Sequence, residues 1–472
     1  MTHIRYKKFK NNTYAYEVTA TWDAKLKQSR SKSKYIGKVD EVTKQVIKIE
    51  AKPRGREKLI LDFGDGYFLN EFIKNTAMYP VYKSHLFDSQ AALMPLMIYR
   101  LCTGSAMYNC KDWLEGNILG MFFKNSDLSS QRISELLTFL GNEQVQRSFF
   151  LDYIKLVGGS KKSVIIDATT LPNNINIDFN AWGRTDGGID KQFKLLCVVD
   201  QVSKLPLFYR FLPGNISDVS TLETTIHELE KMGVHNSFAL LDAGYFSETN
   251  IKDFYNRKID FLTRLPANRT IYKDIILKKT NDLESLKYTQ VSGNRTVFVK
   301  KIKIDLFDHK AHAYIILDLE RKAKDMAAVM EKYHQNPSEQ DEHKLAFASC
   351  GIFILVSSKA IEVSEVLSSY HTRQSVEQIF SFSKSDLNLL PIRHHNDNTV
   401  RGYLFLQFLL LVLFIQIREK IYKDYTVEQA LMILRKLKCK VFDNQIIPQE
   451  ASRAQKDILQ KYDILVPKNL GI

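Results

Sequence analysis

Apolar residues follow three different spacings along the chain. Residues 1–60 alternate short β-like runs (Thr13–Thr19, Tyr35–Val39, Gln45–Ile49) with polar, Lys-rich turns, which predicts strands. The tract SRSKSK at Ser29–Lys34 reads as a flexible loop within reach of phosphates, or as plain solubilising sequence. From Phe68 to about Leu156 the spacing becomes i, i+3, i+4, clearest in Ala91–Leu101 and Leu128–Leu140, and predicts helices. SDLSSQRISELLTFLGNEQVQRSFFLDYI reads as two helices broken at Gly141, with Ser126 as N-cap. A short-helix region beside a basic arm suits DNA reading, and a purely structural role fits the same pattern, since no recognition-helix motif is defined.

At Ser163 the pattern changes again. KKSVIIDATTL holds a continuous apolar run, Val164–Ile166, ending in Asp167, as a strand buried on both faces would. Lys191–Asp200 and Leu205–Gly214 follow as strands joined by the turn QVSK. A helix at Asp218–Met232 comes next, then a strand at Ser237–Phe246 carrying Asp242 and breaking at Gly244. A helix near Ser247–Arg257 and a strand at Asp260–Arg264 complete the run.

Residues 266–346 interrupt this order with strand-like runs at Tyr288–Val291, Arg295–Ile304 and His312–Leu317. A charged helix at Glu320–His334 and a polar loop at Gln335–Lys344 follow, and Ala346–Ser357 returns as a core strand. Past the next helix, Tyr403–Ile417 is the longest apolar run; Gln407 and Gln416 interrupt it, and it is short for a membrane span. It reads as a buried helix, and nothing in the sequence asks for a membrane. The tail, Thr426–Ile472, carries amphipathic helices at Val427–Leu437 and Ala451–Tyr462, a dimerisation surface or the end of the core.

Tyr370–Lys384, YHTRQSVEQIFSFSK, has no Pro or Gly and reads as one helix. With Glu377 at 0° and roughly 100° per residue, Tyr370 falls near +20°, Arg373 near −40° and Lys384 near −20°. One carboxylate, two cations and a phenol share a stripe beside the apolar face of Val376, Phe380 and Leu387. A solvated face with an Arg–Glu pair is the plain reading. A metal-binding carboxylate flanked by phosphate-gripping cations needs the same grouping.

The spacing Y-x2-R-x3-E-x6-K resembles the Tyr-Arg-Glu-Lys box of bacterial insertion-sequence DDE transposases, cut-and-paste enzymes with an RNase H-like catalytic domain. All four positions match without a gap. The resemblance covers about residues 160–415 and implies an α/β (α+β overall) chain: an RNase H-like mixed sheet flanked by helices. The order of hairpin strands followed by βαβ units matches that layout, in which the first and fourth strands lie side by side. Asp167 and Asp242 are then adjacent in space. The β insertion between the second Asp and the Glu is also as the resemblance leads one to expect.

The implied activity is metal-dependent strand cleavage at the ends of the protein's own insertion element, then attack of the exposed 3′-hydroxyl on target DNA. Asp167, Asp242 and Glu377 form the implied catalytic and metal-binding triad. Three carboxylates suit two Mg²⁺ (or Mn²⁺) ions, with Asp167 and Glu377 each holding one and Asp242 shared. By resemblance, Arg373 and Lys384 hold phosphates beside the scissile bond and Tyr370 contacts the backbone there. No G-x4-G-K-[ST] loop for ATP is present. The implied partners are inverted-repeat and target DNA, with a homodimer forming in the DNA complex. Alternatives are an RNase H-like structure-selective endonuclease without strand transfer, and a non-catalytic DNA-binding protein on a transposase scaffold; the intact triad argues against the latter.

Composition adds to this picture at two points. The 472 residues are 44% hydrophobic with net charge +14, and residues 1–60 hold 16 Lys and Arg against 6 Asp and Glu, a net +10. A basic arm suits a polyanion. The five cysteines are scattered without a C-x2-C pair, so neither a disulfide framework nor a zinc site is expected, which suits the bacterial cytoplasm. Trp182 reads as a loop tryptophan packed on the core, or one stacking on an unpaired base. Asp186, Asp190 and Asp218 are candidates to support the triad, though the first two read better as an exposed acidic turn, and His394-His395 reads as a polar loop contact rather than a pair of metal ligands. The expected division is a basic β-rich subdomain (1–60), a helical, DNA-binding region (61–158), the catalytic domain (159–265 and 346–418), a mainly β insertion (266–345) and a helical tail (419–472).

Overall fold

The computed structural model describes residues 2–9, 12–23, 28–40, 45–48, 57–157, 162–185, 188–292, 295–335 and 340–471. They form two compact units. The first comprises Met1–Leu61, Cys439–Gln449 and Val466–Ile472. Its first sheet is an antiparallel meander of Thr2–Phe9, Asn12–Asp23, Gln28–Val39 and Val46–Lys48. Ser29–Lys34, expected as a loop, lies inside the third of these strands. Strand alternation puts Ser29, Ser31 and Ser33 on one face and Lys32 and Lys34 on the other, which an open strand tolerates. A second sheet joins Leu59–Asp62 to Lys438–Val441, Gln445–Pro448 and Leu470–Gly471. The tail is therefore not purely helical: strands follow each of its helices, Val427–Arg435 and Arg453–Lys461. KCKV and QIIP are too short for periodicity to reveal.

The second unit, Asp62–Lys438 with Glu450–Leu465, is built on a ten-stranded mixed sheet. In chain order its strands are β1 (Lys162–Pro172), β2 (Ala181–Thr185), β3 (Gly188–Asp200), β4 (Pro206–Pro213) and β5 (Asn236–Leu241). β6 (Asp260–Arg264), β7 (Thr289–Ser292), β8 (Arg295–Leu306), β9 (His309–Asp318) and β10 (Ile352–Ser357) follow. The spatial order is β7-β8-β9-β10-β6-β5-β1-β3-β2, with β4 also paired to β3. Among the described strands the parallel pairs are β5 with β1 and β5 with β6, β5 lying between the other two. The helices α1 (Asp218–Lys231) and α2 (Glu248–Asn256) precede and follow β5. Val164, Ile165 and Ile166 are fully buried, as a strand covered on both faces requires.

Four expectations change here. β1 does not end at Asp167 but continues to Pro172, because β3 pairs with it as far as Gln192. β2, missed in the sequence, is only five residues long. The strands at 289–318 do not interrupt the sheet; they extend it through β9, which pairs with β10 along six residues. The polar stretch at 335–344 is partly helical, Gln340–Ala348, and the strand after it begins only at Ile352, following Gly351 with φ +72°.

Helices Ser130–Leu140 and Glu143–Val157 flank the expected break at Gly141, but Ser129 rather than Ser126 precedes the first. The Ser126 hydroxyl donates instead to the Ala91 carbonyl, 3.1 Å away. The helices α3 (Val363–His371), α4 (Gln374–Ser381) and α5 (Asp397–Ile421) follow β10. α5 packs on Ser130–Leu140 at backbone distance: a Cβ on Gly402 would stand 1.8 Å from the Leu137 carbonyl oxygen. Among the described residues α5 is the one helix long and apolar enough to cross a membrane, yet 83% of its apolar window is buried inside the protein.

Candidate active site

The sheet register brings the two aspartates together. Ile166 of β1 lies opposite Leu241 of β5 in a parallel pair, and the next residues along are Asp167 and Asp242. Asp167 stays in the strand, its side chain 14% exposed, and its Oδ1 accepts its neighbour Ala168's N–H at 2.9 Å. Asp242 leaves the strand and caps the short turn Ala243–Tyr245. Its carbonyl accepts the hydroxyl of Thr263, a buried residue of β6, at 3.3 Å.

The expected single helix from Tyr370 to Lys384 is broken. α3 ends at His371, α4 starts at Gln374, and Phe382–Asp386 forms a wider π turn. Hydroxyls supply the reason, by drawing the backbone into tighter i→i−3 bonds. Thr372 Oγ1 donates to the Ser369 carbonyl (2.6 Å), Ser375 Oγ to the Thr372 carbonyl (2.7 Å), and the N–H of Arg373 bonds Tyr370 O at 3.1 Å. Gln201, at the end of β3, donates to Thr372 Oγ1 at 3.0 Å and ties the break to the sheet. α4 buries Val376, Ile379 and Phe380, packs against β1, and leaves Glu377 53% exposed.

The break delivers Arg373 into the middle of the carboxylates. One guanidinium nitrogen lies 2.8 Å from Asp167 Oδ2 and 3.8 Å from Asp242 Oδ1, and another lies 2.7 Å from Glu377 Oε1. All three carboxylates thus share one cation. Burial pushes the Asp167 carboxyl up to about 6 against the pull of Arg373, and the charges of Asp242 and Glu377 push the same way as burial. Across the ladder from Asp167 stands Cys197, whose thiol burial and the neighbouring carboxylate raise to about 12. It stays protonated at neutral pH, so the ionised donors are oxygens alone.

Tyr370 is half-buried, its phenol raised to about 12 by burial and the charge of Asp242, against Arg373 and Arg264. It also lines a cavity of 420 Å³ with Arg264 and Arg321. Lys384 donates to Thr169 Oγ1 at 2.8 Å. Thr169 sits two residues beyond Asp167 and shares its face of β1. Thr169, Thr263 and Gln201 were missed in the sequence; only the two-residue step from Asp167 to Thr169 offered a signal.

Other candidates fall outside this cluster. Trp182 is on β2 rather than in a loop and is 62% exposed, so it does not pack on the core; Lys191 Nζ is 5.9 Å from its ring. Asp190 is exposed on β3, Asp218 opens α1, and Asp186 lies outside the described residues. His394 packs on Tyr403, centroids 5.2 Å apart. Among the described residues no three His, Cys, Asp or Glu side chains stand as a metal-holding group; in the triad, Arg373 takes the central place. The donor set still fits a hard divalent cation, being three carboxylates already gathered about one positive charge.

The family model "Transposase DDE domain" matches residues 158–413. No curated protein matches. Among solved structures, a piggyBac transposase synaptic complex with hairpin DNA is similar at 12% identity and a TM-score of 0.38, covering 84% of this chain and 70% of that one. A Drosophila P element transposase strand transfer complex is similar at 10% identity and a TM-score of 0.21, covering 84% of each chain.

Proposed function

Because the chain belongs to the DDE transposase family, we propose that its DNA cleavage and strand transfer run at Asp167, Asp242 and Glu377. DDE transposases generally use divalent metal ions, and these three residues would hold two, Mg²⁺ or Mn²⁺. When bound, such ions lower the pKa of the attacking hydroxyl and stabilise the departing oxygen. The observation that carries this reading is the convergence of the three carboxylates on the Arg373 guanidinium.

Arg373 offsets part of the carboxylates' charge in the metal-free protein. With a cation bound in that place, the planar Arg373 fork would be free for a phosphate beside the scissile bond, the ligand such a fork fits best. Lys384, steadied by Thr169, holds a neighbouring phosphate as a point charge. Tyr370 keeps its proton at any physiological pH and donates its hydroxyl to the backbone. In cleavage, water oxygen bonds to phosphorus and the 3′ oxygen leaves. In strand transfer that 3′-hydroxyl attacks a target phosphorus and the target's own 3′ oxygen leaves. Joining two ends requires two such sites, hence a homodimer in the DNA complex.

The test is Mg²⁺-dependent cleavage of a labelled duplex carrying the element's own end, wild type beside Glu377→Gln. Cutting lost in the variant while DNA binding survives supports the triad, and joining to an added plasmid separates a transposase from a nuclease. If Glu377→Gln still cuts, the assignment fails.

A further inference from the structure

The N-terminal meander has two unlike faces. Register places Lys7, Tyr14 and Lys38 in one cross-strand row and Arg5, Tyr16 and Tyr35 in the next. Rows two residues apart are roughly 7 Å apart along the strands, and neighbours within a row about 5 Å. The tyrosines form a connected platform: Tyr16 and Tyr35 centroids are 5.3 Å apart, and Tyr14 and Tyr35 are 5.9 Å apart. Lys7 Nζ lies 5.2 Å from the Tyr16 ring centre. Farther along the same face, Ser29, Ser31 and Ser33 align opposite Trp22, Ala20 and Val18. Trp22 is 68% exposed. None of the residues in register on this face is Asp or Glu.

The opposite face is different. Register puts Lys8, Arg30, Lys32, Lys34 and Lys48 there, but also Glu17 and Asp23, and Glu17 stands directly opposite Lys34. Its charge is partly balanced within the sheet. Gathering cations without a carboxylate on one face costs self-repulsion, which a polyanion reverses. Cations for phosphates, hydroxyls that donate to phosphate oxygens, and rigid rings between them are the chemistry of a nucleic-acid backbone surface.

We propose that the Arg5–Lys7–Lys38 face of this sheet grips the sugar–phosphate backbone of duplex DNA. Only the choice of DNA over another polyanion rests on the transposase reading. The face acts by charge and fixes no base sequence, so its contribution is steeply salt-dependent, roughly 0.9 in the slope of log affinity against log salt for each phosphate engaged.

The experiment uses the full chain and a labelled duplex over a salt series. In one variant Arg5, Lys7 and Lys38 are each replaced by Glu; in another, of equal net charge, Lys8, Lys32 and Lys34 are. The first is expected to bind at least about tenfold more weakly near 0.15 M salt and to lose roughly 3 in slope; the second should change much less. A milder Arg5→Gln/Lys7→Gln variant, checked by thermal unfolding, guards against a folding defect and should move the same way. Equal losses from both faces, or loss from neither, overturns the proposal, as does tighter wild-type binding to a single strand than to the duplex. Glu377→Gln run alongside separates the two readings: it should bind like wild type whether or not any metal ion supports cutting.

Discussion

Two halves of the active site are positioned by different physics. Asp167 and Asp242 each follow the last register pair of two parallel strands, Ile166 and Leu241, and the sheet brings them together. Glu377, Arg373 and Tyr370 come from a segment where two short helices and a π turn are linked by side-chain hydroxyls. Asp167 is buried and expensive to charge, while Asp242 is 41% exposed. The helical half carries the exposed Glu377 and brings the cation on the largely buried Arg373. Placing a charged carboxylate in the sheet costs stability, which Arg373 recovers in part and a divalent ion can recover more fully.

The largest effects should fall on chemistry. Asp167→Asn and Glu377→Gln are each expected to cut cleavage at least about a thousandfold, near 4 kcal/mol of barrier. They should differ sharply in stability. Burial raises the Asp167 carboxyl from the ordinary 3.8 to about 6, so the folded state binds its proton more tightly. That contribution is complete below about pH 4 and is lost as pH rises through about 6, on the order of 3 kcal/mol. In metal-free protein Asp167→Asn should therefore be more stable than wild type at pH 8 and should lose that advantage near pH 4. Glu377→Gln should stay within about 0.5 kcal/mol throughout. Chemical denaturation at both pH values decides: an Asp167→Asn advantage independent of pH means burial does not charge this half as described.

Arg373→Gln sharpens the same comparison by removing the shared cation. In chelator the variant should be less stable than wild type by about 1–3 kcal/mol, because three carboxylates are left facing one another. Mg²⁺ or Mn²⁺ should then raise its melting temperature more than the wild type's, since no guanidinium competes for the carboxylates. If metal shifts both proteins equally, Arg373 does not occupy the place a divalent ion would take.

The strand half was also the more legible. An apolar run flowing into Asp167, and a second strand carrying Asp242 after one helix, picked out both residues as ends of buried strands, and the RNase H-like layout that the resemblance implies put those strands side by side. The spacing of Tyr370, Arg373, Glu377 and Lys384 picked out the other half, but a helical wheel assumes an unbroken helix. The break at Thr372 is made by local hydroxyl bonds and tied to the sheet by Gln201, a residue 171 positions away, and apolar periodicity carries neither. The strands at 289–318 were found, yet their place in the main sheet was not, since pairing between β9 and β10 is written in no contiguous stretch. Lys438–Val441 and Gln445–Pro448 were lost to brevity.

The smallest predicted effect tests whether the two halves are joined at a second point. Lys384 Nζ and Thr169 Oγ1, 2.8 Å apart, link the π turn to the strand of Asp167. If that bond positions the lysine for a phosphate, Thr169→Val and Lys384→Met should each weaken cleavage of the end duplex, and the double variant should be little worse than Lys384→Met alone. The expected coupling is about 0.5–1.5 kcal/mol in the rate, the net worth of one hydrogen bond. A structural role for Thr169 would instead lower the melting temperature and leave the two rate losses additive. The salt dependence of the rate separates these outcomes, because a lysine that holds a phosphate should flatten it when removed and Thr169→Val should flatten it in part.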